Sequence, residues 1–163
     1  MSKREIARGS VWRQWDLHVH TPASFHWTGK KFDGDMSSPE NRTLIDEMIE
    51  AMNAAEPAVF AIMDYWTFDG WFALKSRLAE PGAPVLKKTV FPGIELRLSA
   101  PTTKRLNAHV IFAETIPDHH LREFLSDLKL ERTDRAVSKE SLIDLARGTA
   151  EDMIMNKAPN KDA

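Results

Sequence analysis

Short apolar runs alternate with amphipathic segments along this chain, and this alternation constrains the fold more than any other feature. Such an order is typical of a largely parallel sheet covered by helices. The predicted strands are residues 11–19, 58–63, 88–98 and 107–113. The predicted helices begin near Ser38, Asp69, Pro117 and Ser138. A closed eight-unit barrel needs ~250 residues. At 163 residues the chain predicts an α/β incomplete barrel, an open sheet or a fragment of something larger.

Two helix starts carry specific local signals. Ser38 precedes Pro39, which is the order expected of an N-cap residue followed by the first helical position. Asp69 is expected to cap the helix that follows it. Between the first strand and the first helix lies a polar stretch, residues 21–38, that is longer than most ordered connections. Loops of this length are often functional or mobile.

Composition excludes several classes of protein. The chain has no cysteine, which excludes disulfides and thiolate chemistry, and no apolar run approaches the ~18 residues of a membrane span. No signal peptide is visible, so we expect a cytoplasmic protein without membrane contact. The net charge of −2 argues against coating of nucleic acid by bulk electrostatics. We expect a single domain over residues 1–157 and a disordered tail over 158–163.

Asp16, His18 and His20 alternate along the first predicted strand. Residues spaced by two point to the same face of a strand, so the three side chains would line one face. Three ionisable groups on one face are costly without a counter-charge, which favours a metal site. The alternative is a strand whose histidines bond to backbone or lie in solvent.

Three further residues are candidates for the same site. Asp64 follows a buried apolar run, and ligands gather outside the carboxyl ends of strands in α/β sheets, although a turn or cap role is the alternative. Glu95 and His109 fall opposite each other if a hairpin is symmetric about Thr102. Opposed residues have Cβ atoms ~5 Å apart, so both could meet one metal ion, or they could form a structural pair. His26 is a weaker candidate.

These motifs resemble the PHP (polymerase and histidinol phosphatase) superfamily. The segments WDLHVHTPASF, MDYWTFDGW and FPGIELRL…NAHVIF are similar to PHP domains at the N-terminus of bacterial AAA/SMC-like ATPases linked to DNA repair or phage defence. The resemblance covers roughly residues 8–130. It implies a distorted, mostly parallel (β/α) barrel and phosphoester hydrolysis with about two Mn, Zn or Fe ions. It implies the metal ligands His18, His20, Asp64, Glu95 and His109, with Glu95 bridging two ions.

The resemblance also implies a role for Asp16, which would be a ligand or would orient a histidine. Spacing, and not the resemblance, suggests a role for Arg97, which lies two residues after Glu95, hence on the same face. Arg97 and Lys104 are candidates for contacting phosphate, with a solvated charge as the alternative. The chain departs from the family pattern at Tyr65, where the motif usually has histidine, and it has no histidine after position 120.

Two functions remain open from the sequence. The first is a metal-dependent phosphoesterase acting on a phosphate ester, with nucleic acid or nucleotides as candidate substrates. The second is a degenerate, non-catalytic PHP module that binds a partner ATPase or nucleic acid, which the departures favour. All five tryptophans fall within the first 71 residues, and such aromatic surface often marks an interface, so we also predict self-association or a missing partner.

Overall fold

The computed structural model describes residues 12–35, 38–98, 101 and 106–155, with side chains described up to Thr149. Four strands and four helices follow one another in this part of the chain. The strands are β1 (Trp15–Val19), β2 (Val59–Tyr65), β3 (Thr89–Leu98) and β4 (Leu106–Ile111). The helices are α1 (Pro39–Ala54), α2 (Asp69–Leu78), α3 (Asp118–Asp127) and α4 (Lys139–Met155).

The strands form one sheet in the order β1-β2-β3-β4. β1, β2 and β3 are parallel, and β4 returns antiparallel to β3. The sheet curls into a half-barrel, so the predicted mixed α/β class is confirmed, together with its mostly parallel strands and single hairpin. All seven residues of β2 are buried, as expected for a central parallel strand.

The helices cover one face of the sheet through an apolar core. Ile49 from α1, Leu74 from α2 and Leu121 from α3 are fully buried against β3 residues such as Ile94. The other face of the sheet is the inner face of the half-barrel, which includes Glu95. Helices α1, α2 and α3 therefore cover the outer face of the sheet, and the inner face carries polar groups such as Glu95.

The predicted cap of α1 is confirmed. The Ser38 side chain accepts a hydrogen bond from the Asn41 backbone N–H at 3.2 Å, and Pro39 opens the helix. At α4, Ser138 Oγ likewise accepts from the Ser141 N–H at 3.1 Å. The predicted cap at Asp69 is wrong, because Asp69 is already the first residue of α2 and its N–H donates to Thr67 Oγ1 at 3.0 Å.

Some expectations fall outside the described residues. These are the start of the first strand at Val11, the side chain of Lys104 and the tail over 158–163. Among the helices that the structure describes, none combines the length and the apolar composition needed to cross a membrane.

Candidate metal centre

Three strands bring the predicted ligands to one place on the inner face. His18 comes from β1, Glu95 from β3 and His109 from β4. The register pairs Glu95 directly with His109, which confirms the predicted hairpin pairing. The hairpin symmetry alone predicted the Glu95–His109 pairing. The approach of His18 to this pair was implied by the family resemblance.

One oxygen of Glu95 is the centre of the cluster. His18 Nε2 lies 2.9 Å from Glu95 Oε2, and His20 Nε2 lies 3.7 Å from the same oxygen. His109 Nε2 lies 3.7 Å from Glu95 Oε1. His18, Glu95 and His109 each offer a ligand atom within 4.8 Å of the others. The arrangement joins three imidazoles to a single carboxylate.

The other oxygen of Glu95 is held by the protein. Tyr65 Oη donates to Glu95 Oε1 at 2.5 Å, and Asn107 Nδ2 donates to the same atom at 2.6 Å. Burial alone would raise the pKa of Glu95, but the hydrogen bonds from Tyr65 and His18 outweigh it and lower the pKa below its ordinary value. Glu95 is therefore a buried carboxylate kept in its anionic form.

His20 is favoured in its neutral form. Partial burial, together with the nearby His18 ring, lowers the pKa of His20, even though Glu95 acts in the opposite direction. Its Nδ1 lies 3.3 Å from Ser24 Oγ. A neutral imidazole is the form that binds a metal ion, so the electrostatics suit a ligand role.

Asp64 lies outside this cluster. Its Oδ1 accepts from the Thr21 backbone N–H at 2.8 Å, and its Oδ2 accepts from Thr21 Oγ1 at 2.6 Å. The nearest imidazole atom is His20 Nδ1, 3.9 Å from Oδ1. Burial raises the pKa of Asp64 to about 7, despite these hydrogen bonds. The structure thus places the predicted ligand where it fastens the loop that follows β1.

Asp16 departs from the position that simple alternation predicted, whereas Arg97 lies on the same face as Glu95, as its spacing predicted. The β1–β2 register shifts between Asp16 and Val19, which interrupts simple alternation, and Asp16 Oδ1 accepts from the His18 backbone N–H at 3.1 Å. Asp16 therefore braces the backbone that carries His18. The Arg97 guanidinium lies 5.2 Å from the centre of the Tyr65 ring, beside the cluster.

Sequence reasoning missed two residues that support the cluster. Asn107 pairs with Arg97 in the hairpin register, so the symmetry that predicted His109 also places Asn107 on the Glu95 face. Tyr65 was noticed only as a departure from a histidine motif, whereas its hydroxyl contacts Glu95. His119 and His120, by contrast, are exposed on α3.

The donor set is chemically suited to a divalent transition-metal ion. Imidazole nitrogens with one carboxylate oxygen match the preferences of Zn²⁺, Fe²⁺ and Mn²⁺. A buried anion and partly exposed histidines leave room for further ligands from solvent or substrate, since His18 and His109 are 47% and 39% exposed.

No family model, curated protein or solved structure matched the chain when it was compared with them.

Proposed function

We propose that the protein is a metal-dependent phosphoesterase of the PHP type. The observation that carries the proposal is the convergence of His18, His20 and His109 on the buried carboxylate of Glu95. Three imidazoles and an anionic carboxylate that meet on one face form the kind of donor set that holds a divalent cation. Phosphoester hydrolysis is a reaction that uses such a cation.

The residues of the site have distinct roles in this proposal. His18, His109 and Glu95 Oε2 would hold the ion, with His20 beside them. A divalent cation there would supply positive charge to the phosphoryl oxygens and to the attacking water. Arg97 would contact a phosphate oxygen. The oxygen of water bonds to phosphorus, the ester P–O bond breaks, and the alcohol leaves with a proton.

The number of ions depends on Glu95 Oε1. Both lone pairs of this oxygen already receive donors, from Tyr65 and Asn107. A bridging Glu95 would have to give up one of these hydrogen bonds to hold a second ion. We therefore propose one tightly held ion, and treat the second ion implied by the family resemblance as weakly bound.

Metal analysis together with hydrolysis tests the proposal. We expect about one Zn, Mn or Fe per chain by elemental analysis and metal-dependent hydrolysis of bis-p-nitrophenyl phosphate. Glu95→Gln and His109→Ala should lose both properties. Glu114→Gln, which changes an exposed glutamate outside the cluster, should retain them. A wild-type protein that neither binds metal nor cleaves any phosphoester would refute the hydrolase.

A second candidate function is a non-catalytic PHP module that binds a partner ATPase or nucleic acid. The Tyr65 and Asn107 hydrogen bonds favour it, because they occupy the oxygen that would bridge a second ion. This candidate predicts metal binding without turnover. Hydrolysis by wild-type protein with full metal occupancy distinguishes the two candidates. A rate no higher than that of Glu95→Gln favours the non-catalytic module.

A further inference from the structure

An aromatic shelf lies beside the metal centre; it consists of Phe25, Tyr65 and Trp66. Phe25 stacks on Trp66 with ring centres 5.7 Å apart and planes 18° from parallel. Its ring centre is 4.8 Å from that of Tyr65. Phe25 is 48% exposed, so one part of the shelf faces solvent rather than the core.

The shelf is directly connected to the proposed ligands. The Tyr65 ring stacks against His20 at 5.5 Å, and its hydroxyl donates to Glu95. His26 makes a second connection, because its ring centre lies 4.2 Å from that of Phe25 and 6.2 Å from that of His20. The exposed Phe25 ring is therefore linked to the cluster through Tyr65 and His26.

A cation lies over the same shelf. The Arg97 guanidinium carbon is 5.2 Å from the Tyr65 ring centre and 5.9 Å from the Phe25 ring centre. Its Nη2 lies 3.4 Å from His26 Nε2. Contacts with rings orient a guanidinium without neutralising it, so Arg97 keeps its full charge for an anion.

The backbone conformation of Trp66 supports a role of the shelf in ligand binding. Trp66 has φ of 55°, a left-handed conformation that is rare for a bulky residue, and its N–H donates to the Glu95 carbonyl at 3.3 Å. Such conformations persist where the surrounding structure enforces them, and they cluster at ligand sites. Here the conformation turns the chain immediately after β2 and sets Trp66 behind Phe25.

We propose that the shelf is a nucleobase-binding subsite and that the substrate is a nucleoside phosphoester. The base stacks on Phe25, the phosphate contacts Arg97, and the phosphorus lies at the metal centre. Every nucleobase offers a flat π face to an aromatic side chain, and Arg strengthens such stacking. The hydrolytic step rests on the proposed phosphoesterase function, whereas base binding does not.

Matched ligands with and without a base test the subsite. The metal-loaded protein is titrated calorimetrically with adenosine 5′-monophosphate and with ribose 5-phosphate, which lacks only the base. We expect the nucleotide to bind about 5- to 100-fold more tightly, because stacking supplies that much affinity. Equal affinities for the two ligands would overturn the proposal.

Variants locate the effect on the shelf. Phe25→Ala should remove the difference between the two ligands, and Phe25→Trp should keep it. Trp12→Ala, which removes a 98% exposed ring outside the shelf, should leave both affinities unchanged. Arg97→Ala should weaken both ligands, with partial recovery in Arg97→Lys. An unchanged preference in a folded Phe25→Ala protein would place the base elsewhere and refute the subsite.

The same experiments separate failure of the subsite from failure of the hydrolase. Base-dependent binding without hydrolysis would leave the subsite standing and refute the enzyme. Hydrolysis of both ligands with equal kcat/KM, insensitive to Phe25→Ala, would leave the enzyme standing and refute the subsite. A 5′-phosphorylated single-stranded oligonucleotide distinguishes two sources of the nucleoside phosphoester. Tighter binding of the oligonucleotide than of the mononucleotide indicates that the substrate is a strand end, and equal binding indicates a free nucleotide.

Discussion

At the scale of single residues, Thr21 and Asp64 link the loop after β1 to the end of β2. Both side chains are fully buried and hydrogen-bonded to each other. Gly70, near the start of α2, lies directly against them. A Cβ at position 70 would fall 2.1 Å from Thr21 Oγ1 and 2.3 Å from Asp64 Oδ2. The absence of a side chain at Gly70 is therefore what allows this packing.

Gly70→Ala is predicted to destabilise the protein by about 1–3 kcal/mol or more, because the clash involves atoms held in a buried hydrogen-bonded pair. Gly148→Ala is the control, since a Cβ there meets nothing within 4 Å. It should stabilise α4 by roughly 0.5–1 kcal/mol, as expected for glycine replacement inside a helix. Urea unfolding of both variants measures the difference. Equal effects of the two substitutions would contradict this account of Gly70.

Asp64 makes the stability of the metal-free protein depend on pH. Burial raises the pKa of Asp64 from its ordinary 3.8 to about 7 in the folded state. The folded state then holds a proton that the unfolded state has lost, so stability is highest below 3.8 and falls as pH rises towards about 7. The lowered pKa values of Glu95 and His20 act in the opposite direction, so the Asp64 contribution is measured as the difference between wild type and Asp64→Asn, unfolded in EDTA between pH 4 and 8. If the slope of stability against pH is the same in Asp64→Asn as in wild type, another group causes the pH dependence.

At the scale of elements, the β3–β4 hairpin was predictable in register and the long loop was not. The symmetry about Thr102 that was assumed from the sequence predicted which residues of β3 and β4 oppose one another, and the register has Glu95 opposite His109. The path of the loop depends on contacts between distant residues, such as Thr21 Oγ1 donating to Asp64 Oδ2 at 2.6 Å. No periodic pattern encodes such contacts, and the position of Phe25 could not be inferred.

Ser38→Ala is predicted to lower stability by about 1 kcal/mol, because α1 loses its N-cap acceptor. Ser38 Oγ also donates towards Asp33 Oδ2 at 3.2 Å, so the loop loosens at the same time. Ser126→Ala provides the control, as Ser126 is exposed within α3 and caps nothing. Thermal unfolding compares the two. A Ser126→Ala effect as large as that of Ser38→Ala would argue against a specific cap.

At the scale of the whole molecule, the described sheet has β1 and β4 as its edges. Trp15 on β1 is 57% exposed and lies 6.3 Å from the Phe91 ring, with the ring planes 29° apart. Trp71, in contrast, is buried in the core. The tryptophan count predicted apolar surface, but only the fold could separate the tryptophans that face solvent from those that build the core.

Self-association is expected to involve the β1 edge, since an exposed edge strand with an aromatic side chain can pair with a second copy. Sedimentation velocity over a range of concentrations should show a dimer that Trp15→Ser weakens. Val85→Ser, which changes a 74% exposed apolar residue between α2 and β3, should have no effect. A wild-type protein that stays monomeric at all concentrations would contradict the expectation.

Tyr65 belongs to two parts of the molecule at once. Its hydroxyl fixes the carboxylate of Glu95, while its ring supports Phe25 and Arg97. Loss of that hydroxyl frees an oxygen of Glu95 and leaves the ring in place. Tyr65→Phe should therefore raise the affinity for a second ion without altering the preference for a base. The loss of one oxygen atom at position 65 would thus be enough for evolution to change the number of ions that the site holds.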